Sequence, residues 1–156
     1  MVDPRVPERL RWAVQLLDVS PHDEILEIGP GPGGSVSLIC EQLAGGRITI
    51  IERSATAVQR ATRRNADHVA SGRAVFHQLD LADVDLVRRA LTGQRFDKAL
   101  AVNLNLFWVR PADAELQLIK DLLGPGGVVH LVGAHDLHHH PSGDLPGSSQ
   151  HLLLLA

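Results

Sequence analysis

The chain is poor in aromatic and sulfur-containing residues: aromatics make up 3% of its 156 residues, and it has no tyrosine and one cysteine. Because a lone Cys40 cannot form an internal disulfide, a disulfide-stabilised secreted scaffold is excluded. No apolar run approaches the roughly 20 residues of a membrane span. Nothing at the N-terminus resembles a signal peptide. We therefore expect a cytoplasmic protein with no membrane partner.

The chain also lacks a dense run of basic residues, and its formal net charge is -3. Backbone binding to nucleic acid needs a basic footprint, so we expect no nucleic-acid partner. Arg60, Arg63 and Arg64 cluster, but they fall on a predicted amphipathic helix and are interpreted as its solvated face. The histidines of the C-terminal segment have no cysteine or regularly spaced acid beside them, so no metal site is predicted.

Short, nearly continuous apolar runs alternate with longer stretches of helical periodicity. This alternation predicts βαβ units, and parallel strands buried on both faces read as such runs. We predict an α/β, Rossmann-like, doubly wound and mostly parallel sheet with helices on both faces. The predicted strands are Glu24 to Ile28, Arg47 to Ile51, Ala74 to Gln78, Phe96 to Val102 and Gly127 to Val132. The predicted helices are Val6 to Leu17, Ser35 to Leu43, Ser54 to Val69, Asp83 to Leu91 and Ala112 to Leu123.

A glycine-rich loop follows the first predicted strand, in the stretch Glu27-Ile28-Gly29-Pro30-Gly31-Pro32-Gly33-Gly34. A strand, a glycine loop and a helix in that order form a nucleotide-binding turn, since glycines let the backbone approach a ligand. The same residues also satisfy the dinucleotide pattern G-x-G-x-x-G. Glu27 favours a different ligand, because a carboxylate repels a pyrophosphate but tolerates a cationic sulfonium that carries an amino group. Glu27 could equally accept hydrogen bonds from the loop, and the two roles are compatible.

With these residues the chain resembles the class I S-adenosylmethionine-dependent methyltransferases, whose first motif, E/D-x-G-x-G-x-G, reads EIGPGPG here. The resemblance covers roughly residues 6 to 132. It implies that S-adenosyl-L-methionine is the cofactor, that S-adenosyl-L-homocysteine is the product, and that the acceptor is a small molecule. It also implies that Glu27 and the loop residues Gly29, Pro30, Gly31 and Gly33 contact the cofactor.

The resemblance extends to the ends of the next three strands. Glu52 stands where the family binds the cofactor ribose, and the next residue, Arg53, would stack on the adenine. Asp80 matches the adenine-recognition position, with Leu81 as an apolar wall, although Asp80 could instead cap the following helix. Asn103 follows the fourth predicted strand, whose end faces the methionine portion of the cofactor and the acceptor in the family, so the resemblance implies that Asn103 is a polar contact there.

Two features limit the prediction of catalysis. The sequence offers no compelling general base, and His130 is interpreted as a buried core histidine. Family members continue past the fifth strand with a helix and two further strands, whereas here the C-terminal part is abbreviated. We predict a binding domain over residues 1–132 and a His/Gly/Pro-rich tail over 133–156, in which His151 to Ala156 is one candidate for a short edge strand. An uncovered parallel edge would otherwise favour a homo-oligomer.

Two alternatives remain open. A non-catalytic S-adenosylmethionine-binding or assembly module would explain the short C-terminus. A nicotinamide-dependent oxidoreductase is disfavoured by Glu27 and by the lack of a catalytic Tyr-Lys pair in a chain without tyrosine. Phe107 and Trp108, just after the fourth strand, are either walls of an acceptor pocket or anchors to the core.

Overall fold

A computed structural model describes residues 4–134 and 149–155, which form one six-stranded sheet flanked by helices. The strand order is β3-β2-β1-β4-β5-β6. The first five strands are parallel, and β6 runs antiparallel to β5. The strands are β1 (Glu24–Ile28), β2 (Arg47–Glu52), β3 (Ala74–Gln78), β4 (Phe96–Val102), β5 (Leu123–Ala134) and β6 (Ser149–Leu155). The helices are α1 (Glu8–Leu17), α2 (Gly34–Gln42), α3 (Ala55–Arg64), α4 (Ala66–Ala70), α5 (Val84–Ala90), α6 (Leu106–Val109) and α7 (Asp113–Leu122).

Two hydrophobic clusters lie on opposite faces of the sheet. One packs α5 and α7 against strand residues such as Leu26 and Ala99. The other packs α1 and α2 against strand residues such as Ile25 and Leu100. Because successive residues of a strand point to opposite faces, Ile25 and Leu26 serve different clusters. The predicted doubly wound fold, with helices on both faces, is confirmed.

The strand order reverses at β1, which lies between β2 and β4. In β1, Ile28 pairs with Ile51 of β2 on one side and with Ala101 of β4 on the other. In open parallel sheets, ligands bind outside the carboxyl ends of the strands at such a reversal. The fold therefore places the glycine loop, which follows β1, at the expected binding crevice.

Three elements differ from the sequence-based prediction. The helix predicted over Ser54 to Val69 is broken at Asn65, whose φ of -110° ends α3 and precedes α4. A short helix, α6, lies where only a loop was expected. Strand β5 begins at Leu123 and ends at Ala134, longer at both ends than predicted. Its early part contains the predicted turn, with Gly126 at φ +75° and a register shift opposite β4.

Strand β6 confirms that an apolar edge strand follows the fifth strand. It pairs antiparallel with β5 from Ser149, opposite Ala134, to Leu155, opposite Val128. The parallel edge of β5 is therefore covered by the chain itself. Since β5 continues to Ala134, it crosses the predicted boundary at residue 132, and that division stays a prediction. Most of the predicted histidine-rich stretch lies in residues 135–148, outside the described residues.

Within residues 4–134 and 149–155, no helix is both long enough and apolar enough to cross a membrane. The same part of the chain holds no group of three His, Cys, Asp or Glu side chains that could bind a metal ion. Cys40 is a free thiol in the buried core. His130 is 7% exposed in β5, as predicted for a core histidine.

Candidate cofactor site at the carboxyl edge of the sheet

The glycine loop after β1 owes its shape to backbone conformations that favour glycine. Gly29, Gly31 and Gly33 have φ of +65°, +56° and +80°, values that cost a residue with a Cβ about 1 kcal/mol or more. The Gly29 N–H donates to the Ile51 carbonyl at 2.9 Å, and the Gly33 N–H donates to the Pro30 carbonyl at 3.2 Å. The loop is thus tied to the end of β2 and closed by its own turn.

The glycines of the loop have different surroundings. A Cβ on Gly29 would lie 3.1 Å from Leu104 Cδ1, whereas a Cβ on Gly31 would meet no atom within 4 Å. A Cβ on Gly33 would lie 2.8 Å from Ala61 Cβ. Gly33 therefore packs against the protein, and Gly31 lines open space in which a ligand can approach the backbone.

Glu27, near the end of β1, is a buried carboxylate with one unsatisfied oxygen. Its side chain is 1% exposed. Oε1 accepts a hydrogen bond from the Ser35 hydroxyl, while Oε2 has no hydrogen-bond partner among the described residues. Burial raises the pKa of Glu27 to about 7, against a smaller lowering by the Ser35 hydrogen bond. An unpaired buried oxygen costs free energy, so a ligand that donates a hydrogen bond or carries positive charge would stabilise this site.

Glu52, the last residue of β2, lies against the loop and is 8% exposed. Its Oε2 accepts from the Gly31 N–H at 3.3 Å, and its Oε1 accepts from the Ser54 N–H at 3.0 Å. An ionised carboxylate has about four lone-pair sites, so two acceptor positions remain for ligand hydroxyls. Ser54 is the N-cap of α3, as predicted, with its hydroxyl accepting from the Ala57 N–H at 3.2 Å.

Beyond Glu52 lies an open cleft of about 530 Å³, which is bordered by the ends of β2 and β3 and by the start of α5. Its lining combines polar and charged side chains with two leucines. The lining residues are Arg53, Ser54, Gln78, Leu79, Asp80, Asp83 and Leu86.

The alternative role of Asp80 as a helix cap is wrong. The α5 cap is Asp83, whose Oδ1 accepts from the Leu86 N–H at 3.4 Å. Asp80 Oδ1 instead accepts from the Ala82 N–H at 2.9 Å, within the turn before the helix. The Asp80 side chain is exposed on the cleft, whereas Leu81 is 4% exposed and packs in the core under α5 and α7.

Asn103 directly follows β4 and has a left-handed conformation, with φ of +54°. Its N–H donates to the Val132 carbonyl at 2.7 Å. Few residues other than glycine adopt this conformation, and asparagine is among those that tolerate it best. After Asn103, the chain enters α6, where Phe107 is partly buried against the core cluster. Phe107 is therefore a core anchor, while the Trp108 side chain lies outside the described residues.

Two functional candidates escaped the sequence analysis. Ser35 holds Oε1 of Glu27, and Asn65 contacts the carbonyl of Gly33. Neither residue belongs to a recognisable motif. A hydroxyl at the start of the helix after a glycine loop would have been the one available signal for Ser35.

Residues 25–127 match a family model described as a methyltransferase domain. Among curated proteins, the chain is similar to a trans-aconitate 2-methyltransferase of Paracidovorax citrulli, with 31% identity over 127 residues, which is 80% of this chain and 45% of that protein. It is also similar to a probable ribosomal RNA small subunit methyltransferase A of Methanospirillum hungatei, with 34% identity over 86 residues, 55% of this chain and 31% of that protein.

Among solved structures, the fold is similar to that of an S-adenosylmethionine-dependent methyltransferase of Thiobacillus denitrificans in complex with S-adenosyl-L-homocysteine. The TM-score is 0.64 at 21% identity, over 85% of this chain and 50% of that one. At this identity the match shows the fold. The chain spans less than half of either curated relative and half of this solved structure.

Proposed function

This chain belongs to the class I S-adenosylmethionine-dependent methyltransferases, and we propose that it transfers the methyl group of that cofactor to a small-molecule acceptor. One observation carries the proposal: the buried Glu27 carboxylate beside the glycine loop, whose Oε2 has no hydrogen-bond partner within residues 4–134 and 149–155. The trans-aconitate methyltransferase relative supports a small acceptor by its name.

The residues present fit the cofactor. Glu27 Oε2 is an unsatisfied acceptor that suits a cationic ammonium group, and Gly31 of the adjoining loop borders open space. Glu52 keeps acceptor capacity for two ribose hydroxyls. Asp80 and Arg53 line the cleft beyond Glu52, where both would contact the adenine ring.

When bound, S-adenosyl-L-methionine supplies an electrophilic methyl group on a cationic sulfur. The chain's own residues would bind this cofactor and orient it. Glu27 would hold the ammonium end of the cofactor and Glu52 its central ribose, and the glycine loop would admit it close to the backbone. Positioning of this kind contributes effective molarities on the order of 10⁵ M or more. We assign no general base, and Asn103 is the polar residue that we place nearest the acceptor.

A second candidate is a cofactor-binding or assembly module without catalysis. It is favoured by the described residues of the site, among which we identify no general base for the transfer. The two candidates differ in product formation and agree in cofactor binding.

Cofactor binding is tested by calorimetric titration of the chain with S-adenosylmethionine, S-adenosylhomocysteine and a nicotinamide dinucleotide. We expect Glu52→Ala to weaken binding of the first two at least tenfold, because charge-assisted hydrogen bonds contribute about 1.5 to 3 kcal/mol. Asp97→Ala is the control. Asp97 is also an acid that accepts a backbone N–H, from Glu24 at 2.8 Å, but it lies at the opposite edge of the sheet. Preference for the dinucleotide would overturn the proposal.

Catalysis is tested with methyl-labelled cofactor and two acceptor pools, a small-metabolite extract and total RNA. We expect label in the small-molecule pool, since the net charge of -3 disfavours nucleic acid. Label in the RNA pool would show that the acceptor is RNA and would overturn the proposal of a small-molecule acceptor. Cofactor binding without any labelled product would favour the module.

We further propose a cytoplasmic location, since the free thiol of Cys40 suits a reducing compartment. Because β6 covers the parallel edge on which the predicted homo-oligomer depended, we propose instead that a homo-oligomer would pair through β6 itself. Among the described strands, β6 pairs with β5 alone and lies at the end of the sheet. An edge strand presents backbone donors and acceptors to another chain. Light scattering coupled to size exclusion tests this, and a monomer at all concentrations would contradict it.

A further inference from the structure

Asn65 is a buried polar residue at the junction of α3 and α4. Its side chain is 1% exposed, although asparagine is mostly a surface residue. Buried amides are retained where their hydrogen bonds are made. The partners of Asn65 are therefore informative about its role.

Within the described part of the chain, the Asn65 amide has three hydrogen-bond partners, which lie on α3 or on the segment from the glycine loop into α2. Nδ2 donates to the Gly33 carbonyl at 3.1 Å and to the Ala61 carbonyl at 2.8 Å. Oδ1 accepts from the Ser37 hydroxyl at 2.8 Å. Both donors and one acceptor position of the amide are thus used. The side chain joins the last residue of the EIGPGPG loop to a helix 32 positions away in sequence.

Gly33 is shaped to receive this contact. Its φ is +80°, and a Cβ there would lie 2.9 Å from Asn65 Nδ2 and 2.8 Å from Ala61 Cβ. The backbone of the loop thus lies directly against α3 where Asn65 ends that helix. This close approach requires glycine.

The glycine loop has a second contact, with Glu52 at the end of β2, and this contact differs in kind from the one with Asn65. The Gly31 N–H donates to Glu52 Oε2 at 3.3 Å, a long bond to a carboxylate that cofactor hydroxyls would share. The Gly33 contact with Asn65 is a buried bond between a neutral amide and a backbone carbonyl.

We infer that Asn65 is a positioning residue that holds the glycine loop, through Gly33, in the conformation that accepts the cofactor. The inference rests on the proposed function for its ligand, but its structural basis is independent of it. Asn65 also ends α3, with its N–H donating to the Ala61 carbonyl at 3.0 Å. A role confined to helix termination would affect stability without affecting the loop.

The test compares three variants of the full chain by titration with S-adenosylmethionine and by thermal unfolding. Asn65→Ala removes the amide, Ser37→Ala removes its hydroxyl partner and spares both Nδ2 bonds, and Val87→Ala opens a cavity in the cluster on the other face of the sheet. We expect Asn65→Ala to weaken binding about tenfold, the effect of roughly one lost hydrogen bond. Ser37→Ala and Val87→Ala should change binding by less than about threefold, although Val87→Ala lowers the melting temperature.

Hydrogen exchange without ligand supplies the second readout. We expect amides in residues 29–36 to exchange faster in Asn65→Ala than in Val87→Ala at matched stability, since loss of the contact opens the loop locally. Should Asn65→Ala fail to fold, Asn65→Asp at about pH 8 keeps the volume and the Ser37 bond while its carboxylate loses both donors.

The outcomes separate the two proposals. Unchanged affinity together with unchanged exchange in a folded Asn65 variant would overturn the positioning role. A wild-type chain that binds no S-adenosylmethionine would instead overturn the proposed function. In that case, the exchange of residues 29–36 alone decides whether Asn65 holds the loop.

Discussion

The carboxyl edge of the sheet has two parts that differ in construction. In the part after β1 and β2, which we call the cofactor edge, the loop residues 29–33 and Glu52 are joined by hydrogen bonds to the backbone and to α3. In the part after β4, which we call the acceptor edge and define as residues 103–111, the chain turns at Asn103 into one short helix. There Val109 is 74% exposed.

The comparison indicates that recognition of the cofactor and recognition of the acceptor depend on different kinds of structure. The cofactor edge is built from backbone conformation and a few buried polar groups, so it can recognise one ligand class with a short motif. The acceptor edge has more exposed side chains. Its recognition surface depends on which segments cover it, which agrees with the variety of functions that one fold can carry.

The largest expected effect is at Gly33, where the cofactor edge packs most closely. Gly33→Ala should destabilise the fold by on the order of 4 kcal/mol, because left-handed strain adds to a clash with Ala61 Cβ at 2.8 Å. Gly31→Ala is the matched control, at φ +56° with no atom within 4 Å, and should cost about 1 kcal/mol. Urea denaturation measures both. Equal losses would show that the loop is not packed against α3 as described.

The next effect separates stability from binding at Glu27. Burial raises the pKa of Glu27 from 4.5 to about 7 in the folded chain, so the folded state holds its proton longer than the unfolded state does. The stability contribution is fully present below about pH 4.5 and is lost as the pH rises to about 7, by about 3 kcal/mol. Glu27→Gln should not show this loss, and it should bind S-adenosylmethionine about tenfold more weakly above pH 7.

Urea denaturation at several pH values measures the effect at Glu27, with Asp97→Asn as the control for loss of an acid elsewhere in the sheet. The difference in the free energy of unfolding between Glu27→Gln and wild type should grow as the pH rises from about 4.5 to 7. Parallel stability curves for Glu27→Gln and wild type would contradict a buried, strained carboxylate.

The smallest expected effect is that of substituting Asn103, at the acceptor edge. Asn103 has φ of +54°, so Asn103→Ala should cost about 1 kcal/mol, while Asn103→Gly should be nearly neutral. If the side chain contacts the cofactor, both variants should weaken binding by about threefold, near the lower range for one neutral hydrogen bond. Calorimetric titration distinguishes the cases, and undiminished affinity in Asn103→Gly would remove Asn103 from the site.

Most of the fold was predictable because parallel strands and amphipathic helices leave local patterns. The first four strands were placed to within a residue, and Ser54 was correctly identified as a cap. The break at Asn65 was missed, since the surrounding residues keep helical periodicity and the side-chain partners lie on α2 and the loop. The Asp80 alternative failed for a local reason: two acids stand within three residues of each other before α5, and Asp83 is the one that caps the helix.

By itself, the sequence determined the order of strands and helices, the glycine loop and the acids that follow β1 and β2. These features depend on neighbouring residues, and the hydrophobic periodicity and the conformational freedom of glycine express them directly. Only the tertiary structure decided which polar atoms are satisfied. The unpaired oxygen of Glu27 and the contact between Asn65 and Gly33 arise from the packing of distant segments, and burial makes each of them count energetically.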